Sequence, residues 1–195
     1  MVIGRSEQAL KVSLFQCQDS QQIQDAMSTI FNEYDYLLPQ SKDSVILLKP
    51  NLNSYMNALT GNTTDLRLLV AVIRLLKERG FHDITIGDGT SSGFYRNKID
   101  VISRLRIDRL ARRFGVKTLD LNYAPHEEIN FEEGAKVRVS KLCGEADLFI
   151  NLPKLKMHFE TMMSVCLKNL IGCLVGLDSK QKVHDSLAKN ILHLN

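Results

Sequence analysis

Residues 44–48 read Ser-Val-Ile-Leu-Leu and run directly into Lys49-Pro50-Asn51. A run that short and that apolar does not alternate, so as a strand it must be covered on both faces. Parallel sheets flanked by helices are where such strands occur. Further strands are expected at 83–86, 117–121 and 147–152, and one at 11–16, where Val12 and Leu14 alternate with polar residues. Helical patterns lie between them. Leu66, Leu69, Val70, Ile73 and Leu76 recur at steps of three and four, with Thr63 or Thr64 as the N-cap and Gly80 as the stop. Ser20 opens an earlier helix marked by Ile23, Met27, Ile30, Phe31 and Tyr34, and Gly115 ends a later one over 101–114. Two short pieces, 129–131 and 136–139, form a hairpin-like excursion. The alternation predicts an α/β fold: a mostly parallel, Rossmann-like sheet with helices on both faces and a small β excursion near 129–140, the whole of 1–195 forming a single domain.

Composition excludes several classes of function. The longest apolar stretches, 68–73 and 170–177, are too short to cross a bilayer, and the N-terminus has no secretory signal, so no membrane role is expected and the cytoplasm is the default location. A net charge of +3 without tryptophan gives no basis for nucleic-acid binding. Cys17, Cys143, Cys166 and Cys173 form no CxxC pair, which argues against a zinc ribbon, thioredoxin chemistry or an iron–sulfur cluster held by this chain alone, and they read as buried thiols. His82, His126 and His193 lack metal-ligand spacing, and no metal site is assigned.

The candidate chemistry lies in 151–176, NLPKLKMHFETMMSVCLKNLIGCLVG. If the chain leaves the strand at 147–152 extended, Lys154, Lys156 and His158 share one face and Leu155, Met157 and Phe159 the other. Two ammonium groups and an imidazole held together repel unless an anion sits among them, and His158 is the group able to move a proton near neutral pH. The alternative is a solvated lysine-rich strand end with a packed histidine. From Phe159 onward a helix is expected, with Met162 and Met163 in the core. Lys168 near its end either caps carbonyls or contacts and carries a ligand. Three strands end in polar clusters: Lys49-Pro50-Asn51, Gly87-Asp88-Gly89-Thr90 and Asn151-Leu152-Pro153-Lys154. Ligands in open parallel sheets bind beyond the carboxyl ends of the strands, so these clusters are expected to face one crevice. The candidate catalytic residues are His158 and Lys168; the candidate binding residues are Lys49, Asn51, Asp88, Asn151, Lys154, Lys156 and Asn169. His184 is either a second titrating group or a surface histidine.

The segments ILLKPNLNS, TDLRLLVAVIRLLKERG, ITIGDGTS and ADLFINLPKLKMHFETMMSVCLKNLIGCLVG, with the later His184, resemble in order the family known as domain of unknown function 362, over about residues 44–195. Members of that family are commonly described as iron–sulfur proteins because many carry a fused ferredoxin-type module, whose cysteine pattern this chain lacks. Met157 stands where the family commonly has threonine, and family members continue past the helix holding His184, so the chain resembles a truncated or short member. The family is distantly similar to the N-terminal domain of lactate racemase, which carries a nickel-pincer nucleotide on a lysine and uses histidines as proton acceptors. That resemblance implies acid/base and attachment roles for His158 and Lys168. Val165-Cys166-Leu167 replaces the glycine-rich lead-in to that lysine.

Two readings of function follow. One is an enzyme domain that binds an anionic small molecule or a phosphate-bearing cofactor of unknown identity and transfers a proton or hydride next to a carboxylate. The other is a non-catalytic partner in an iron–sulfur redox assembly, docking a ferredoxin-type protein through the arginines at 104–113, which otherwise read as a solvated helix face. Nucleotide binding is disfavoured because neither GxGxxG nor GxxxxGK[ST] occurs.

Overall fold

The computed structural model describes residues 11–131 and 136–195; residues 1–10 and the centre of the expected excursion, 132–135, lie outside the described residues. In chain order the elements are α1 (Ser20–Glu33), β1 (Ile46–Pro50), α2 (Leu66–Glu78), β2 (Ile84–Asp88), α3 (Ser92–Arg96), α4 (Val101–Arg104), α5 (Ile107–Phe114) and β3 (Lys117–Asp120). They continue as β4 (His126–Asn130), β5 (Lys136–Ser140), α6 (Lys141–Glu145), β6 (Leu148–Leu152), β7 (Lys156–His158), β8 (Met162–Ser164), α7 (Cys166–Asn169), α8 (Gly176–His184) and α9 (Leu187–His193).

The central sheet has the order β3-β2-β1-β6, and every pairing in it is parallel. Leu48 pairs with Ile86 on one side and Ile150 on the other. The chain moves outward from β1 through β2 to β3, then returns across β1 to lay down β6. That reversal leaves a crevice at the carboxyl ends of β1 and β6, where a Rossmann-like sheet takes its ligands.

Alternation along the strands explains the layers. Ile46, Leu48, Ile84 and Ile86 enter one core with Leu69, Val72, Ile73 and Leu76 of α2, Phe31 of α1, Ile102 of α4 and Ile107 of α5. Leu47 points the other way, and a Cβ at Gly87 would lie 3.0 Å from Leu47 Cδ1 and 3.2 Å from Leu121 Cδ2, so this layer packs tightly over the glycine. A second cluster of Val137, Leu174, Val183, Leu187 and Ile191 joins the β4–β5 hairpin to α8 and α9. Among the described residues no helix is long and apolar enough to cross a membrane.

The fold class agrees with the expectation, and several elements do not. Residues 11–16 form no strand: Val12 and Leu14 are 92% and 96% exposed, because the alternating segment finds no sheet edge to pair with. Asp65, and not Thr63 or Thr64, caps α2 by accepting from Arg67 N at 2.8 Å. Thr64 is used elsewhere, its hydroxyl donating to Leu152 O at 2.6 Å and accepting from Asn51 N at 2.8 Å. The helix expected over 101–114 breaks at Arg106, which takes φ 60°. In one continuous helix Ile102 and Ile107 would project about 140° apart; the break lets both enter the same core.

The largest correction concerns the segment from Phe159 onward, which forms the β7–β8 hairpin before a short α7. Met162 and Met163 are 80% and 57% exposed and do not belong to the core. The period-two pattern of 154–159 governs here, with Leu155, Met157 and Phe159 all exposed on one face. Of the cysteines, Cys173 is buried whereas Cys166 is exposed.

Candidate functional site

The floor of the crevice is built from the strand ends. Lys49 is fully buried, and its Nζ meets Asp88 Oδ1 at 2.5 Å. Asp88 Oδ2 accepts from Leu52 N at 2.6 Å, so both carboxylate oxygens are engaged and β1 is tied to β2 past their ends. Gly172 lies over this pair. A Cβ there would collide with the Asp88 carboxylate and sit 2.7 Å from Lys49 Nζ, and Gly172 O accepts from Gly89 N at 2.8 Å. A bare backbone is needed for so close an approach.

Beside the ion pair, three asparagine amides interlock. Asn51 Nδ2 donates to Asn169 Oδ1 at 2.9 Å, and Asn169 Nδ2 donates to Asn151 Oδ1 at 2.8 Å. Asn151 Nδ2 donates to Cys166 O at 2.9 Å. The amides thus clamp α7 to the ends of β1 and β6, which positions the neighbouring Lys168.

Above this floor opens a cleft of about 360 Å³ lined by Asn51, Asp88, Asn169, Lys156, His158, Lys168, Lys180 and His184, together with the polar stretch 89–93. Lys156 Nζ donates to Asn62 O at 2.8 Å and Asn51 Oδ1 at 3.1 Å. Burial, reinforced by the charge of Lys168, holds its ammonium below the usual lysine range. Lys168 is likewise lowered by burial, against the raising pull of the Glu160 charge, and its side chain makes no hydrogen bond or ion pair to another described residue. Lys180 is only 4% exposed and donates to Thr90 O at 2.6 Å and Asn122 Oδ1 at 2.5 Å. Burial lowers its pKa to about 8, against the opposing pull of Asp88 and Asp120.

The two histidines have complementary hydrogen bonds. His158 Nδ1 accepts from Glu160 N at 3.2 Å and Thr161 N at 3.3 Å, so the neutral ring carries its proton on Nε2. Burial, and then the Lys168 charge, holds His158 below its ordinary pKa, which favours that neutral form. His184 Nδ1 donates to Lys180 O at 2.7 Å, since a carbonyl can only accept, so in the neutral tautomer Nε2 carries the lone pair. One ring therefore presents a donor and the other an acceptor.

Of the residues singled out in the sequence, Asn51, Asp88, Asn169, Lys156, His158 and Lys168 line this one cleft. Lys49 and Asn151 lie in its floor, engaged by Asp88 and by Asn169 and Cys166 respectively. Lys154 is outside the lining and its charge acts on Asp65. Lys180 carried no signal of its own in the sequence. It sits four residues before His184, one turn along the same helix, and that pairing is the cue by which it could have been found.

Residues 46–195 match the model of the family described as "Domain of unknown function (DUF362)". The "Thylakoid-associated protein sll1697" of Synechocystis sp. (strain ATCC 27184 / PCC 6803 / Kazusa) is 33% identical to this chain over 143 residues, which cover 67% of this chain and 39% of that protein. No solved structure matches. With strand ends, asparagine clamp and cleft lysines all falling inside the matched region, the chain belongs to the DUF362 family.

Proposed function

We propose that the cleft binds an anionic small molecule, a carboxylate or a phosphate group, and that the domain is the core of an enzyme transferring a proton or hydride next to that anion. The observation that carries this reading is Lys168: an ammonium half-buried in a cleft beside Lys156, with no ion pair to a described carboxylate and only the more distant Glu160 charge to offset its burial. Asp88, the carboxylate in the lining, is already matched by Lys49. Lys156, Lys168, His158 and Lys180 all have their protonated forms disfavoured, and an anion among them relieves that. Lys156 and Lys168 hold the anion, and His158 Nε2–H donates to an oxygen where charge develops. His184 Nε2, the ring nitrogen not bonded to Lys180 O, is placed to accept a proton, and the buried Lys180 ammonium adds positive charge beside it. His158 was expected to move the proton; its Nδ1 contacts favour the donor half of that role, with the acceptor one helix away.

Native mass spectrometry of the protein purified from its own cells, with metal analysis, tests this. A retained anionic ligand or cofactor, lost in Lys168→Gln, supports the reading; a ligand-free protein whose stability is unmoved by phosphate and a panel of carboxylates overturns it. A covalent group on Lys168 would appear as a mass increment on its peptide.

A second reading has one observation in its favour. Arg104, Arg106, Arg109, Arg112 and Arg113 are exposed, and Arg112 alone of them has a carboxylate partner, Asp108 at 3.0 Å, among the described residues. Such a face suits an acidic redox protein of the ferredoxin class. Charge reversal at Arg109 and Arg113 must then abolish a salt-sensitive association while leaving anion retention in the cleft unchanged.

A further inference from the structure

Beneath the cleft lies a second cavity of about 270 Å³, and two cysteines far apart in sequence share its wall. Cys143 belongs to α6 and is partly exposed, whereas Cys173 ends the 3-10 turn Leu170–Cys173 and is buried. Apolar side chains including Ile129, Val139 and Phe149 line the cavity, and Gly144 and Glu127 are exposed at its edge. Both side chains face this one cavity, and each thiol shifts the proton affinity of the other. We propose that Cys143 and Cys173 form a reversible dithiol–disulfide site, oxidised by thiol exchange with a low-molecular-weight disulfide of the glutathione type, and that closure of the disulfide is felt in the cleft.

The chemistry assigns different roles to the two thiols. Cys143 is the thiol that solvent reaches whereas Cys173 is buried, and the electrostatics agree: Cys173 and the Lys49 charge favour the thiolate at Cys143 against burial, while Cys143 and burial hold Cys173 as a thiol. Cys143 is therefore the attacking sulfur: its thiolate displaces one thiolate from the incoming disulfide and forms a mixed disulfide. Cys173 then loses its proton, attacks Cys143 sulfur and expels the second thiolate. Two protein thiols are oxidised, one small disulfide is reduced to two thiols, and both protons leave with them.

Coupling follows from the position of Cys173. Its neighbour Gly172 roofs the Lys49–Asp88 pair and accepts the Gly89 N–H, and Ile171 and Gly172 line the cleft while Leu170 and Cys173 line the second cavity. Bond formation draws the two free sulfurs to about 2.0 Å, which pulls this turn toward α6.

The test uses the full chain carrying Cys17→Ser and Cys166→Ser, equilibrated in buffers of graded oxidised-to-reduced glutathione ratio. Non-reducing peptide mapping is expected to show a Cys143–Cys173 link that dithiothreitol reverses. Cys173→Ser, or Cys173→Ala if the serine variant fails to fold, should trap glutathione on Cys143, whereas Cys143→Ser should leave Cys173 unmodified. Stable glutathione adducts in the two-cysteine protein, or no reaction at either thiol, overturn the proposal. Amide exchange then reads the coupling: Gly89 N–H should exchange about tenfold faster in the oxidised form, and an unchanged rate removes the regulatory half of the inference. Neither readout depends on the cleft having a ligand.

Discussion

The sheet rim and the β7–β8 hairpin offer lysines to the same cleft under opposite conditions. At the rim Lys49 is sealed in, paired with Asp88 and roofed by Gly172. On the hairpin side Lys156 has only neutral oxygens for hydrogen-bond partners, and the Lys168 ammonium has no hydrogen bond or ion pair among the described residues. A buried charge with a fixed partner contributes architecture; one left uncompensated in a cleft is available to a ligand. The difference separates what holds the site from what uses it.

Breaking the rim pair gives the largest expected effect. Asp88→Asn strands the Lys49 ammonium in the core and leaves Leu52 N–H a weaker acceptor, so it should destabilise the fold by about 3–5 kcal/mol, measured by urea unfolding. Replacing both partners, Lys49→Met with Asp88→Leu, should recover most of that loss, though not the hydrogen bond to Leu52. A double variant no more stable than the single one would mean that the pair is not the source of the loss.

The fold was legible because the strands are short apolar runs ended by polar residues, and that pattern needs no tertiary information. The clustering of Asn51, Asp88 and His158 at one cleft followed from the same topology. What was hidden depended on partners distant in the chain. Thr64 looked like a helix cap because nothing local shows that Leu152 O, 88 residues on, competes for its hydroxyl. Met162 and Met163 looked like core because an apolar run reads as buried whichever way a hairpin turns it. Lys180 has an ordinary helical context, and only burial against Asn122 and Thr90 makes it unusual.

Lys180 sharpens the comparison through pH. Its folded pKa of about 8 lies below the unfolded value near 10.5, so the unfolded chain binds more protons between these values and stability must rise with pH across that window. Below pH 8 the penalty is fully present, about 3 kcal/mol at most. Lys180→Met lacks this titration. The stability difference, wild type minus variant, should therefore grow in favour of the wild type from pH 7.5 to pH 10 by about 2 kcal/mol, read from urea curves at each pH. A difference that stays flat would show that the ammonium is not desolvated.

A smaller effect on stability, with a clear one on binding, is expected at Lys168. Lys168→Gln removes no side-chain hydrogen bond or ion pair, and it loses the repulsion of Lys156 and His158 along with the attraction of Glu160, so the change should stay within about 0.5 kcal/mol of wild type. Thermal stabilisation by added phosphate should disappear. Retained stabilisation would move the anion to another part of the cleft.

A gain in stability, small as well, tests the hairpin itself. Met162 pairs with His158 across a three-residue loop and takes φ 59°, a left-handed conformation that a methionine adopts at a cost of about 1–2 kcal/mol. Glycine takes that φ without strain but loses more freedom on folding, so Met162→Gly should stabilise the protein by less than about 1 kcal/mol. The backbone N–H groups that fix the His158 ring come from Glu160 and Thr161, inside this loop. If the strain helps hold them, the glycine variant should bind phosphate more weakly despite its greater stability. Stability and affinity that rise together would place His158's orientation in the rim below and not in the turn above.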